Sequence, residues 1–208
     1  MSAFLGKIHF WLYDKVLLHE TLIDAIAKAA TAKGYSCEDL LAASQEKYGE
    51  PVTGSLEDQI NHSNIHGWLQ ERIYSVEKRL AFIVTELLKN EAITIEEISA
   101  IFYQNGVLAA KELELGEYTP QDLYTLIFDH MLEGMPCDHV HEIIANTEDA
   151  FSWKTTRCLH KEHWQQSGGE VNNFYNFRDS WIQGFLSVMA TDYSYARASD
   201  GMNTIRRV

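Results

Sequence analysis

Cysteine is scarce, with three among 208 residues. An odd, small number of thiols cannot build the disulfide framework of small secreted domains, and it points to a reducing compartment. Proline is equally scarce at three, and glycine is ordinary at twelve, which excludes collagen-like and low-complexity chains. Positive charge is in deficit. Seventeen Lys and Arg face thirty Asp and Glu, a net charge of −13 with histidine neutral, and no basic run is longer than Arg206-Arg207. Such a chain repels polyanionic backbones and anionic lipid, so neither nucleic acid nor a membrane surface is expected as a partner. No apolar run approaches the roughly 18–20 residues that span a bilayer. The stretch Met1–Lys15 carries His9, Asp14 and Lys15 and has no small-residue cleavage site. No signal peptide is therefore expected, and the location is read as cytoplasmic. The chain also has no Walker loop, G-x-G-x-x-G, H-E-x-x-H or G-x-S-x-G, which argues against phosphate-loop, Rossmann, zincin and serine-esterase chemistry.

What is there is an ordinary globular composition, 46% apolar and 23% charged, long enough for one large domain or two small ones. The first half repeats itself. Ile8, His9, Trp11, Leu12 and Glu20 recur as Ile65, His66, Trp68, Leu69 and Glu77, always at an offset of 57. Ser36-Cys37-Glu38-Asp39-Leu40 is echoed by Thr94-Ile95-Glu96-Glu97-Ile98, and Gly49 by Gly106. Each unit reads as a long helix, a connection and a second helix. Ser36 with Asp39, and Thr94 with Glu97, suit an N-cap and a third helical position. Thr119-Pro120-Gln121-Asp122 is a third such start, with proline in the first turn. Leu12, Val16, Ile23, Ile26 and Ala30 follow helical spacing, as do Leu69, Ile73, Val76, Leu80, Ile83, Val84 and Leu87. Helices are expected over 7–32, 37–48, 59–90, 95–115, 120–134 and 137–147, with a loop at 49–54.

Near residue 150 the texture changes. Residues 151–158 alternate and are β-rich, 159–166 and 171–190 read as helices, and 191–197 and 202–208 alternate around the turn Ser199-Asp200-Gly201. The expected fold class is predominantly helical α+β. A tandem helical-hairpin repeat (1–148) precedes a small α+β region with a β-hairpin (149–208), both packed as one globule.

Two clusters bear chemistry. In the first, Cys158 stands where a strand gives way to a helix, a place where the helix dipole favours a thiolate. His160 or His163 would serve as base, with Glu162 or Asp179 orienting it. The bland alternative is a small cysteine beside surface histidines. The second cluster is His130 with Cys137, Asp138, His139, His141 and Glu142, whose ligand types suit zinc or another transition metal. Cys137, His139 and His141 are the candidate ligands. Residues 139 and 141 lie about 200° apart on a helix, so they share an ion only if the segment is extended. Proline opening a helix, with Cys137 and Asp138 in its first turn, explains the same residues without a metal.

The repeated His9/Glu20 and His66/Glu77 pairs each lie on one helix face. Antiparallel packing of the two long helices would bring His9 to Glu77 and Glu20 to His66. A packing module with buried indoles and hydrogen-bonded imidazoles is the simpler account. Phe174, Tyr175, Phe177, Trp181, Tyr193 and Tyr195 are either core or the wall of a small-molecule pocket.

From residue 150 on, the layout resembles the L-2-amino-thiazoline-4-carboxylic acid hydrolase family. The resemblance rests on Cys158 after a strand, a helix ending near Gly168-Gly169, the Phe174-Tyr175…Arg178-Asp179 helix, and the alternating pair around Asp200-Gly201. It covers about a quarter of the chain. It implies thiol-dependent hydrolysis, with Cys158 and Asp179 as functional positions. The family pattern places a further cysteine just after the terminal turn, where this chain has Met202 and Asn203.

The leading expectation is thus a small-molecule enzyme, a thiol-dependent hydrolase of a C–N or C–S bond. The alternative is a non-catalytic protein that binds or senses a metal, a haem-like cofactor or a small ligand. A third reading is an oligomeric scaffold, with helical repeat faces as subunit contacts between identical chains.

Overall fold

A computed structural model describes residues 5–208, so the first four residues of the Met1–Lys15 stretch lie outside it. In chain order the elements are α1 (Lys7–Ala32), α2 (Glu38–Tyr48), α3 (Leu56–Gln59), α4 (Ile65–Lys89), α5 (Ile95–Lys111), α6 (Pro120–His130), a 3-10 turn (Pro136–Asp138), β1 (His141–Asn146), β2 (Ala150–Thr155), α7 (Lys161–Gln166), α8 (Val171–Met189), β3 (Tyr193–Arg197) and β4 (Met202–Arg207). The fold is predominantly helical α+β, with a four-stranded antiparallel sheet in its C-terminal part. Among the described residues no helix is long and apolar enough to cross a membrane.

The chain divides into two compact units whose limits differ from 1–148 and 149–208. The first comprises residues up to Thr94 together with His160–Glu170; the second comprises Ile95–Leu159 and Val171–Val208. Helices α5 and α6 therefore belong with the sheet, and α7 belongs with α1 and α4.

In the first unit the two long helices carry the expected apolar stripes. Leu12, Val16, Ile23, Ile26 and Ala30 on α1 are buried, as are Leu69, Ile73, Val76, Leu80, Ile83, Val84 and Leu87 on α4. The repeat packs like on like rather than antiparallel. His9 Nε2 lies 3.5 Å from His66 Nε2, the Tyr13 and Trp68 rings lie tilted with centroids 6.2 Å apart, and Glu20 pairs with Arg79. These contacts require α1 and α4 to run parallel, nearly in register, because α2 and α3 carry the chain back to the starting end. The indoles of Trp11 and Trp68 are half-buried rather than buried, and cations cover them: Lys15 Nζ sits 3.3 Å from the Trp11 ring centre, and Arg72 lies over Trp68. The expected helix over 59–90 is interrupted. Asn64 ends the gap by accepting a hydrogen bond from the Gly67 N–H and so caps α4. Cys37, not Ser36, takes the cap position of α2, without a side-chain capping bond; its thiol donates instead to the Ala27 carbonyl.

In the second unit the sheet order is β1-β2-β4-β3. Thr119 and Asp122 form the expected capping box at α6, with Pro120 in the first turn. The β3–β4 hairpin turns at Asp200-Gly201, where Gly201 has φ +81° and Asp200 accepts from the Met202 N–H. Helix α8 covers the sheet face that carries Tyr193 and Tyr195. The expected helix over 137–147 is absent. Pro136 opens only a single 3-10 turn, His139 adopts a left-handed φ of +47°, and the chain enters β1. Strand β1 pairs on one side only, with Ile143 and Ile144 exposed around a bulge, so the inside–outside alternation that marks a strand is missing.

The repeated glycines serve different ends. Gly49 stops α2 with φ +99°. Gly106 lies mid-helix in α5, where a Cβ would meet the Trp181 carbonyl oxygen of α8 at 2.2 Å. Gly184 of α8 mirrors it, with the Tyr103 carbonyl oxygen 2.1 Å from a Cβ. The two backbones thus touch through both glycines. Alanine is a better helix former than glycine by about 1 kcal/mol, but here it would strike a backbone that cannot yield, and overpacking costs about 1–3 kcal/mol or more. Gly184→Ala should therefore lower the unfolding free energy by at least about 1 kcal/mol, read from denaturant midpoints. A neutral or stabilising result would mean that α5 and α8 stand further apart than described.

Candidate functional site

The second unit holds a cavity of about 350 Å³ whose lining includes Cys158, Thr155, Tyr175, Arg178, Arg197, Asp200 and Asn203. Strand β2 ends at Thr155 and turns to deliver Cys158, which is half-buried. Helix α8 supplies Tyr175 and Arg178, one turn apart on the same face. The β3–β4 hairpin supplies Arg197, Asp200 and Asn203. Three separate chain segments thus converge on one concavity.

Arg178 is 1% exposed. Three aromatic rings, Phe128, Phe174 and Tyr175, lie 4.9–5.9 Å from its guanidinium carbon, a favourable arrangement for a cation. Burial pulls its pKa down from the usual value, yet a guanidinium keeps its proton in proteins, so a counter-charge is needed. Glu133 supplies it in a buried ion pair. The Glu133 carboxylate also stands 3.8 Å from His141 Nε2, and the other nitrogen of that imidazole shares a 2.9 Å hydrogen bond with the Tyr124 hydroxyl. Arg178 Nε is buried and has no hydrogen-bond partner.

A second charged group fixes Arg197. Its Nε donates to Asp179 Oδ2 at 2.8 Å, and its Nη2 donates to Asn176 at 2.9 Å. Partial burial works to lower the Arg197 pKa, but the hydrogen bond and charge of Asp179 outweigh it and leave it raised. Tyr195 donates to Asp179 Oδ1 at 2.7 Å and also lies 2.8 Å from Asn203 Oδ1. Burial, with the Asp179 charge behind it, pushes the phenol far up, so Tyr195 stays a neutral donor. Its single proton serves one acceptor at a time. Asp179 therefore orients Tyr195 and Arg197, and is not among the cavity-lining residues.

The other expected site residues lie elsewhere. His160 and His163 belong to the first unit, one capping α7 and the other within it, and both are buried. His160 Nδ1 lies 2.9 Å from Glu77 Oε1, and His163 Nε2 lies 3.6 Å from Glu77 Oε2. Helix α7 begins at Lys161 with His160 as its cap, so Cys158 is outside its first turn and the expected help from that helix end is absent. Cys137 is exposed, His139 occupies the left-handed turn, and His141 is held by Tyr124 and Glu133. Among the described residues no group of three or more His, Cys, Asp or Glu is arranged to hold a metal. His130 bonds the Leu126 carbonyl and rests on Trp181 and Phe185. Of the six aromatics considered for a pocket wall, Tyr175 lines the Cys158 cavity, while Phe174, Phe177 and Trp181 are core.

Sequence reasoning missed Glu133, Arg197 and Asn203, and saw Arg178 only as part of a motif. A charge on the apolar stripe of a helix whose other faces are polar was the available signal for Arg178. Nothing local marks Glu133 as its partner. Comparisons with protein-family models, curated proteins and solved structures find no match to this chain.

The first unit has its own buried polar cluster. Burial would raise the Glu77 carboxyl, but the His160 charge and the hydrogen bonds from both imidazoles hold it down at about 2. His19, on α1 in the same cluster, bonds the Lys15 carbonyl through Nδ1 at 2.8 Å, and burial lowers its pKa to about 4. Between pH 6.5 and about 4 the unfolded chain binds a proton at residue 19 that the folded chain refuses, so stability falls as pH drops through that window. The loss from this group is on the order of 3 kcal/mol at about 1.4 kcal/mol per pKa unit. Glu77 adds a second loss as pH falls from 4.5 towards 2. His19→Gln should flatten the pH dependence between 6.5 and 4 and leave the lower limb in place. Unfolding midpoints across pH test this; identical profiles for the variant and the parent would mean that His19 titrates normally.

Proposed function

We propose that the second unit is a small-molecule site where Cys158 attacks a C–N or C–S bond of a carboxylate-bearing substrate. The observation that carries this reading is the convergence of a half-buried thiol and two guanidinium groups on one cavity. A planar fork of N–H donors matches a carboxylate. Arg178 has an Nε–H without a protein partner, and Arg197 is held in place by Asp179. The substrate's carboxylate would take these donors while Tyr175 offers a flat wall. Thiolate addition to an acyl carbon forms a C–S bond to Cys158 and breaks the substrate's C–N or C–S bond, whose nitrogen or sulfur leaves with a proton from the thiol or from solvent; water then cleaves the thioester and regenerates the thiol. Asp200 is the one carboxylate among the lining residues, so the Cys158 proton would pass to it or to solvent. The resemblance of the C-terminal quarter to the thiazoline-carboxylate hydrolase family supports the same assignment of Cys158 and marks Asp179 as a functional position, and the contacts of Asp179 suit a positioning role.

A second reading, ligand binding without turnover, is favoured by one observation: the described lining residues include no imidazole to act as base. Both readings share the anion-binding arginines. The test uses a Cys137→Ser background, because Cys137 is exposed and would also alkylate. Small carboxylates that occupy the site should slow iodoacetamide labelling of Cys158, and Arg197→Gln should weaken that protection by roughly tenfold or more, as expected for a lost hydrogen bond to a charged group. Cyclic amides and thioesters bearing a carboxylate should be hydrolysed by the parent and not by Cys158→Ser, with thermal stability unchanged. Protection without any hydrolysis would select the binding reading. Labelling indifferent to carboxylates would sink both.

A further inference from the structure

A second cavity, of about 300 Å³, lies in the first unit between the end of α2 and the middle of α4, lined by Lys47, Tyr48, Arg72, Tyr74, Ser75 and Lys78, with Glu71 at its edge. Three cations share it on a protein whose net charge is −13. Neither Lys47 nor Lys78 makes an ion pair among the described residues. Each ammonium instead rests over an aromatic ring, Lys47 5.1 Å from Tyr48 and Lys78 5.7 Å from Tyr74. Glu71 is the one carboxylate in the lining. It is 69% exposed and only reaches 4.0 Å from Arg72, a separation at which an exposed pair contributes little. Arg72 Nε is buried and has no hydrogen-bond partner. In a chain with thirty acidic residues, three cations left this way around a concave surface are a locally positive field without its anion.

We infer that this cavity binds a small phosphorylated metabolite through its phosphate. Two ammonium point charges and a guanidinium donor, set on two helices, suit the several oxygens and double charge of a phosphate better than the single flat edge of a carboxylate. The Tyr48 and Tyr74 rings leave flat apolar walls for the remainder of the molecule. The local positive charge attracts a compact anion, while the acidic bulk of the protein keeps long polyanions away. The site also has a built-in reporter. The Tyr74 ring meets the edge of the His163 ring with centroids 5.6 Å apart, and His163 faces Glu77, so occupancy at the cavity changes the surroundings of a buried imidazole.

Titration of the full chain with inorganic phosphate and pyrophosphate, followed by calorimetry and by the Arg72 Nε–H and His163 ring resonances, tests the assignment. Saturable binding is expected, with movement of both resonances, and with acetate at equal ionic strength producing neither. Arg72→Gln should weaken binding by about tenfold or more, the usual size of a lost hydrogen bond to a charged group. Lys78→Gln, a substitution at a half-exposed position, should weaken it without affecting the fold, and Lys78→Arg should retain it. Binding that is equal for phosphate and chloride, or that survives in both Gln variants, would overturn the proposal, as would resonances that do not move under saturating pyrophosphate.

Discussion

Burying Arg178 beneath Phe174 and Tyr175 obliges this chain to bury a carboxylate with it. A charge removed from water without a partner costs several kcal/mol even after relaxation, more than any single apolar contact around it returns. Glu133 meets that obligation from the loop just after α6. Once the pair is formed, the orientation of α8 is set, because the guanidinium can reach Glu133 from one face of that helix only. The glycine contact between α5 and α8 then fixes a second face. The sheet-side network of Asp179, Tyr195 and Arg197 occupies the third. The cavity beside Cys158 is the space these requirements leave open.

The same constraint recurs in the first unit with a different solution. Glu77 is buried, and its counter-charges are imidazoles rather than a guanidinium. Imidazoles titrate within the range a cell experiences and guanidinium does not. His19 and Glu77, whose pKa values are both displaced downward, make the first unit respond to acid. Glu20 and Arg79 form the neighbouring pair. Repetition in the sequence thus conceals divergence in chemistry: Glu20 and Glu77 occupy equivalent positions, yet one pairs with a guanidinium and the other with two imidazoles.

The helical repeat was legible because it follows from local periodicity: both long helices, their apolar stripes and the Thr119 cap stand where the residues put them. The terminal hairpin was legible for the same reason, since Asp200-Gly201 between alternating segments has few other conformations available. Strand β1 was not legible. Its exposed isoleucines and its bulge remove the alternation that identifies a strand, and Pro136-Cys137-Asp138 imitates a helix start that lasts one turn. Cys158 could be singled out by residue type, but its neighbours could not. Arg178, Arg197 and Asn203 reach it through pairings across tens of residues that no local pattern encodes. His160 and His163 illustrate the converse: adjacent to Cys158 in sequence, they fold with Glu77 because a buried carboxylate draws them there.

The membership of α7 in the first unit bears on how this protein is made. Residues 160–170 complete a structure whose other members all lie within the first 94 residues. A ribosome that has released α1 to α4 has therefore delivered Glu77 without the imidazoles that neutralise its surroundings, and some seventy residues must follow before they emerge. Domains generally fold as their last residues leave the tunnel. Here that moment is delayed by the whole of the intervening sheet segment. The nascent chain must keep its early helices loosely assembled, with that carboxylate still wetted, until α7 arrives to close the interior.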